Sequence, residues 1–192
     1  MAAGLAAGVV VLAGCSPHGS VAPSVAATAA SSTPTLPAPV ASPTLPEHWA
    51  DTGERGAQAA AVWFVRDLYT YVVETNDSTQ WQALSLPDCV FCANTTKSVQ
   101  DGLTAGTVQR LTGVQVTVTR VEELNPLAYA VLVDYRDGPT GIYRLDGSLV
   151  KTLDGAPGQL NVVVHLVGPN WCLRAGEWFD AGVPVPTAGA GS

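Results

Sequence analysis

At 192 residues the chain is long for one domain, which commonly takes ~100–150 residues, and nine Lys and Arg against sixteen Asp and Glu give it a formal charge of −7. All nine basic residues and fifteen of the acidic ones lie beyond position 50, so that part carries −6 and repels phosphate backbones, which argues against nucleic acid as a partner. Two Lys against seven Arg, with abundant Ala, Gly, Val and Pro, is the composition of a GC-rich bacterial genome.

Residues 2–13 are small or apolar without a break, the length of a signal-peptide core and short of the ~20 residues a membrane-spanning helix needs. Leu12-Ala13-Gly14-Cys15 follows and resembles the lipobox of bacterial lipoproteins. The resemblance implies removal of residues 1–14 and a diacylglyceryl group on Cys15, whose two chains meet the two-signal requirement for stable attachment. The expected address is the extracytoplasmic face of the cell membrane. No Lys or Arg precedes the apolar run, so the coding start is expected further upstream.

Residues 16–50 contain no Lys or Arg, one acidic residue, Glu47, and seven prolines among Ala, Ser, Thr and Val. Such a segment buries too little apolar surface to fold by itself, and the lipidated Cys15 with residues 16–50 reads as a disordered tether. In polyproline geometry it would reach on the order of 100 Å, and as a flexible coil about 35 Å.

Asp51-Thr52-Gly53-Glu54 has the layout of a capping box, and Ala57, Ala61, Phe64, Leu68, Tyr71 and Val72 then recur at helical spacing. The pattern predicts an amphipathic helix to about Thr75, with Trp63 widening its buried face. Asn76 and Asp77 break it, and Asp77 with Gln80 repeats the capping layout ahead of a short second helix through Trp81 and Leu84. Leu86-Pro87 ends that one. Asp88 is the expected cap of a third helix, with Cys89 and Cys92 in its first turn and Gly102 and Gly106 at its fraying end.

From Val108 the period changes to two. Val114, Val116 and Val118 alternate with polar residues, as do Tyr129, Val131, Val133 and Tyr135 after Asn125-Pro126. Further strands are predicted at Ile142–Leu145, Leu149–Lys151 across the Asp146-Gly147 hairpin signal, Leu160–Val167, and Trp171–Trp178 after Gly168-Pro169-Asn170. The expected domain spans 51–180 and a disordered tail 181–192. Helices followed by a meander make an α+β fold, with N-terminal helices packed on an antiparallel sheet of four to five strands.

This order resembles the cone-shaped α+β superfamily of nuclear transport factor two and ketosteroid isomerase, and the resemblance implies a curved sheet. Asp51-Thr52-Gly53-Glu54 before Gly56-Ala57, Asn76-Asp77, and Leu84-Ser85 before Pro87-Asp88-Cys89 with Cys92 more narrowly resemble an actinobacterial family of uncharacterised lipoprotein domains. The resemblance covers about 51–178, implies no activity, and does not account for Cys172.

Cys89 and Cys92 admit four readings. An oxidising exported location favours a structural disulfide. A thioredoxin-like redox pair needs a preceding strand in a βαβ setting, where this chain has a helix. Zinc would need two more ligands, and only Cys172 and His165 are available, at no recognised spacing. Two buried free thiols remain the fourth. An isomerase-type site needs a carboxylate base and polar donors inside an apolar cone; Asp134, Tyr135 and His165 are the candidates. Alternation puts Asp134 and Tyr135 on opposite faces, and His165 opposite Leu160, Val162, Val164 and Leu166. No nucleophile elbow, phosphate loop or metal-binding helix motif is present, so no catalytic residue, cofactor or metal is expected. The expected function is a membrane-anchored accessory domain that binds an envelope protein or small molecule without chemistry; the alternative is a small-molecule-binding or isomerase-like enzyme using the cone cavity.

Overall fold

The computed structural model describes residues 35–186. The predicted signal peptide, Cys15 and the first part of the tether lie outside the described residues, as does the end of the tail.

The long amphipathic helix is present but is not uniform. Helix α1 (Glu54–Val62) passes into a π-helical segment (Trp63–Leu68) and then into α2 (Tyr69–Thr75). The wider i→i+5 turn spreads successive side chains through a smaller angle, so the consecutive Trp63, Phe64 and Val65 are all buried together with Leu68. The predicted capping box does not form: Gly53 is the N-cap, without a side-chain hydrogen bond, and Asp51 faces His48 and Arg55 instead. Asn76, in the left-handed region at φ 57°, ends α2, and its Nδ2 donates to the Thr107 carbonyl at 2.8 Å.

Helix α3 (Thr79–Ala83) follows an Asx turn in which Asp77 Oδ1 accepts from the Thr79 amide at 3.0 Å. Helix α4 (Val90–Ala105) is capped by Cys89 rather than by Asp88, the Cys92 amide donating to Cys89 Sγ at 3.1 Å. Sulfur takes the capping position because the Cys89–Cys92 disulfide, with Cα atoms 5.2 Å apart, holds it over the first turn.

Seven strands follow: β1 (Thr107–Arg110), β2 (Gln115–Asn125), β3 (Ala128–Arg136), β4 (Thr140–Arg144), β5 (Leu149–Leu153), β6 (Gly158–Val167) and β7 (Asn170–Asp180). They form two antiparallel sheets. The main sheet has the order β2-β3-β6-β7, matching the expected four strands, while the Asp146-Gly147 hairpin, β4 and β5, leaves it to pair with the short β1. The sequence pattern missed β1 because four residues are too few to display a period. The concave face of the main sheet carries Tyr129, Val131, Val133, Leu160, Val162, Val164, Trp171 and Leu173 against the helical segment. Complete burial of such side chains contributes ~1.5–3 kcal/mol each.

Two glycines set close approaches. A Cβ on Gly176 would lie 2.6 Å from Phe91 Cδ1, so the absence of a side chain there lets Phe91, one of the two residues between the cysteines, lie on β7. A Cβ on Gly155 would meet the Asp137 carbonyl at 2.2 Å, and its absence lets the β5–β6 loop fold over the turn after β3.

The tether is shorter than its composition implied. Residues 35–50 form a strap on the helical side of the domain. Trp49 is buried against Trp63 and Phe64, with ring centroids 5.2 and 6.1 Å away. Trp63 Nε1 donates to the Thr44 carbonyl at 2.8 Å, the Val40 amide to Glu74 Oε2 at 2.9 Å, and Arg110 Nε to the Pro37 carbonyl at 2.7 Å. The segment builds no core of its own, but it borrows one by inserting an indole and pairing its backbone with buried polar groups. At the other end, Arg120 NH2 donates to the Pro186 carbonyl at 3.0 Å, so the predicted tail is held at least to residue 186.

Candidate functional site at the mouth of the cone

The interior of the cone is closed. Phe64, Val65, Tyr69, Trp81, Phe91, Leu160, Leu173 and Trp178 meet there and leave no room for a water molecule. Edge-to-face contacts order the aromatic rings, Phe64 to Trp81 at 6.4 Å and Tyr69 to Trp81 at 6.2 Å. Trp81 Nε1 is satisfied by the Cys92 carbonyl at 3.1 Å, which ties the disulfide turn to the interior.

The open concavity lies at the mouth, where the ends of β3 and β7 and the start of β6 face the helix. It measures about 400 Å³. Tyr69 reaches it from α2, Tyr135 from the concave side of β3, Asp137 from the β3–β4 turn, Asp154 from the β5–β6 loop, and Trp178 and Asp180 from β7. Tyr135 packs edge-on against Trp178 with centroids 5.1 Å apart. Burial and then the Asp137 carboxylate push the Tyr135 phenol well above its ordinary range, and the same two causes raise Tyr69. Both phenols therefore stay protonated beside a carboxylate. Asp137 Oδ1 also accepts from the Ala156 amide at 3.2 Å, which pins the loop that Gly155 allows to close. A larger hollow of about 600 Å³, between the strap and the helix around Arg66 and Asp67, is open to solvent.

The three residues singled out from sequence do not converge. Tyr135 reaches the mouth. Asp134 lies on the opposite face of β3, exposed, accepting from Gln159 Nε2 at 2.7 Å. His165 stands near the far end of β6, seven residues or ~23 Å from the mouth at strand rise, opposite Ala128 and Cys172, with its Nδ1 buried and unpartnered. Cys172 is a buried free thiol on that convex side, its pKa pushed up by burial. Among the described residues no group of three or more His, Cys, Asp and Glu could hold a metal ion, and no helix is long and apolar enough to cross a membrane.

Sequence reasoning did not single out Tyr69, Asp137, Asp154, Trp178 or Asp180. Asp137-Gly138-Pro139 and Asp154-Gly155 carry strong turn chemistry, which hid that both turns end at one opening.

An α+β cone with a filled interior and an open mouth defines the class of domain. The chain belongs to the family of unknown function DUF6318, which matches residues 28–175 and so begins ahead of the strap. No curated protein sequence matches the chain. Among solved structures it is similar to the intermembrane space region of the chloroplast protein ARC6, at 13% identity and a TM-score of 0.53, over 65% of this chain and 97% of that one. It is also similar to a protein described as a scytalone dehydratase of Novosphingobium aromaticivorans DSM 12444, at 16% identity and a TM-score of 0.39, over 62% and 78% of the two chains. The first likeness concerns the fold alone, and the second is too distant to carry an argument.

Proposed function

We propose that this protein is an extracytoplasmic lipoprotein, held to the cell membrane through Cys15, whose domain works by binding at the mouth of its cone rather than by catalysis. The observation that carries the reading is the filled interior: aromatic and branched side chains occupy the volume in which a substrate would have to be enclosed. Recognition is left to the mouth and its surroundings. The Leu12-Ala13-Gly14-Cys15 stretch supports the anchor, and the oxidised Cys89–Cys92 pair fits an exported location.

A rival reading, an isomerase-like enzyme or small-molecule binder, draws support from two protonated phenols beside one carboxylate at the mouth. Two experiments separate the parts. Metabolic labelling with a fatty-acid analogue should mark the wild type and not Cys15→Ala; equal labelling removes the anchor. A photo-crosslinking residue at position 154 should give adducts on intact cells, whereas one at position 100, on the exposed side of α4, should not. Identical patterns from the two positions would sink the mouth as the binding surface.

A further inference from the structure

We propose that β5, the open edge of the small sheet, takes up an extended segment of another protein as a further strand, with a carboxylate of that segment opposite Lys151. In the order β1-β4-β5, β5 pairs with β4 along one side and its other side is free. All five of its residues are exposed. Leu145, Leu149, Val150 and Leu153, between 42 and 66% exposed, fall within residues 145–153, and no other stretch of that length among the described residues carries more than two exposed large apolar side chains. A free row of N–H and C=O groups bordered by leucine and valine is a template for strand addition.

The chemistry of the edge selects its occupant. Hydrocarbon cannot satisfy a row of backbone groups, which excludes insertion into lipid. A second copy of this chain fits poorly. Any two-fold antiparallel pairing of two β5 strands that overlaps by three residues or more sets Lys151 opposite Lys151, Leu149 or Leu153 of the other copy, so that a like charge or an apolar side chain faces the ammonium. Both copies also carry −6 beyond position 50. Lys151, and the bulge that leaves Val150 without a partner in the ladder, therefore guard the edge against self-association. A different protein is under no such constraint. Lys151 belongs to no ion pair among the described residues, so an incoming strand meets an unpaired cation with a leucine two positions to either side. The complementary segment has an acid at its centre and apolar residues at the same spacing.

The test is an amide NMR titration of the full chain with three blocked seven-residue peptides. The first has glutamate at its centre, valine at the second and sixth positions and threonine elsewhere; the second has lysine at the centre; the third is the first with its backbone N-methylated. The glutamate peptide is expected to shift the β5 amides, slow their hydrogen exchange, and bind about fivefold more tightly than the lysine peptide. Lys151→Glu, at an exposed position, should melt as the wild type does and reverse that preference. Silence with the glutamate peptide, equal binding of the two charged peptides, equal binding of the N-methylated one, or a preference unchanged in Lys151→Glu overturns the proposal. So does a dimer of the chain alone with β5 protected, which would give the edge to a second copy. The site adjoins the mouth through Leu153 but does not depend on it. Crosslinks from position 154 with silent peptide titrations would sink the strand site and spare the mouth, and a peptide that shifts Tyr69 and Trp178 while leaving β5 unmoved would do the same.

Discussion

Tyr135 concentrates most of the mouth's physical chemistry, because the fold favours its neutral form through burial and the neighbouring Asp137 charge. Its folded pKa lies above the unfolded value of ~10. Above that pH the native state holds the proton longer than the unfolded state does, so stability is full below pH ~10 and falls as pH rises toward the folded value. Urea unfolding of the wild type should show its midpoint falling above pH ~10, and Tyr135→Phe should flatten the fall, leaving the smaller shares of Tyr69, Tyr71 and Tyr129. A pH dependence unchanged by the substitution would mean that the phenol is not held neutral by the fold. The Cys89–Cys92 disulfide closes a loop of four residues, for which loop entropy gives about 2 kcal/mol. Its replacement by two serines should lower the melting temperature by ~4–8 °C for a domain of this size, and reductant should lower the wild type to the same value. The sulfur that caps α4 makes the effect local, so hydrogen exchange should rise at the first turn of α4 before anywhere in β3 or β6.

Among the elements, the strap departs furthest from expectation. Its composition predicts a spacer to residue 50, but Trp49 supplies one large apolar side chain, and Glu74 and Arg110 are buried polar partners that need the strap's backbone. Glu74 also accepts from the Leu111 amide at 2.9 Å, so a single carboxylate joins the strap to the start of the β1–β2 connection. A chain beginning at residue 35 should therefore be more stable than one beginning at residue 51 by ~3 kcal/mol or more, the usual cost of deleting a buried tryptophan. Equal denaturant midpoints for the two would return these residues to the tether. The π-helical segment belongs to the same account, since it brings Trp63 to the strap and Phe64 to the cone interior from adjacent positions.

At the scale of the molecule, the decisive property is that the cone is filled. Leu160 is fully buried at the meeting of sheet and helices, so Leu160→Ala should cost about 2–5 kcal/mol and open a dry apolar cavity. Benzene should then raise the melting temperature of the variant and leave the wild type unchanged. A rise in the wild type would mean that the interior already admits ligands, which would favour the enclosed-site rival.

The α+β order, the turns at Asn125-Pro126, Asp146-Gly147 and Gly168-Pro169, and the opposed faces of Asp134 and Tyr135 were legible in the sequence, because periodicity and turn chemistry act over a few residues. So was the pairing of Cys89 with Cys92, once an oxidising location was inferred. What only the tertiary structure decided depends on groups distant in the chain: the separation of β4 and β5 into a second sheet, the docking of residues 35–50, and the convergence of Asp137, Asp154 and Asp180 with Tyr69, Tyr135 and Trp178. No local pattern encodes these, since each requires that segments meet only after the main sheet has curved around the helix. Whether a cone is empty or full is likewise a matter of summed side-chain volume across the whole core, and it is this property that moved the candidate site from the interior to the rim.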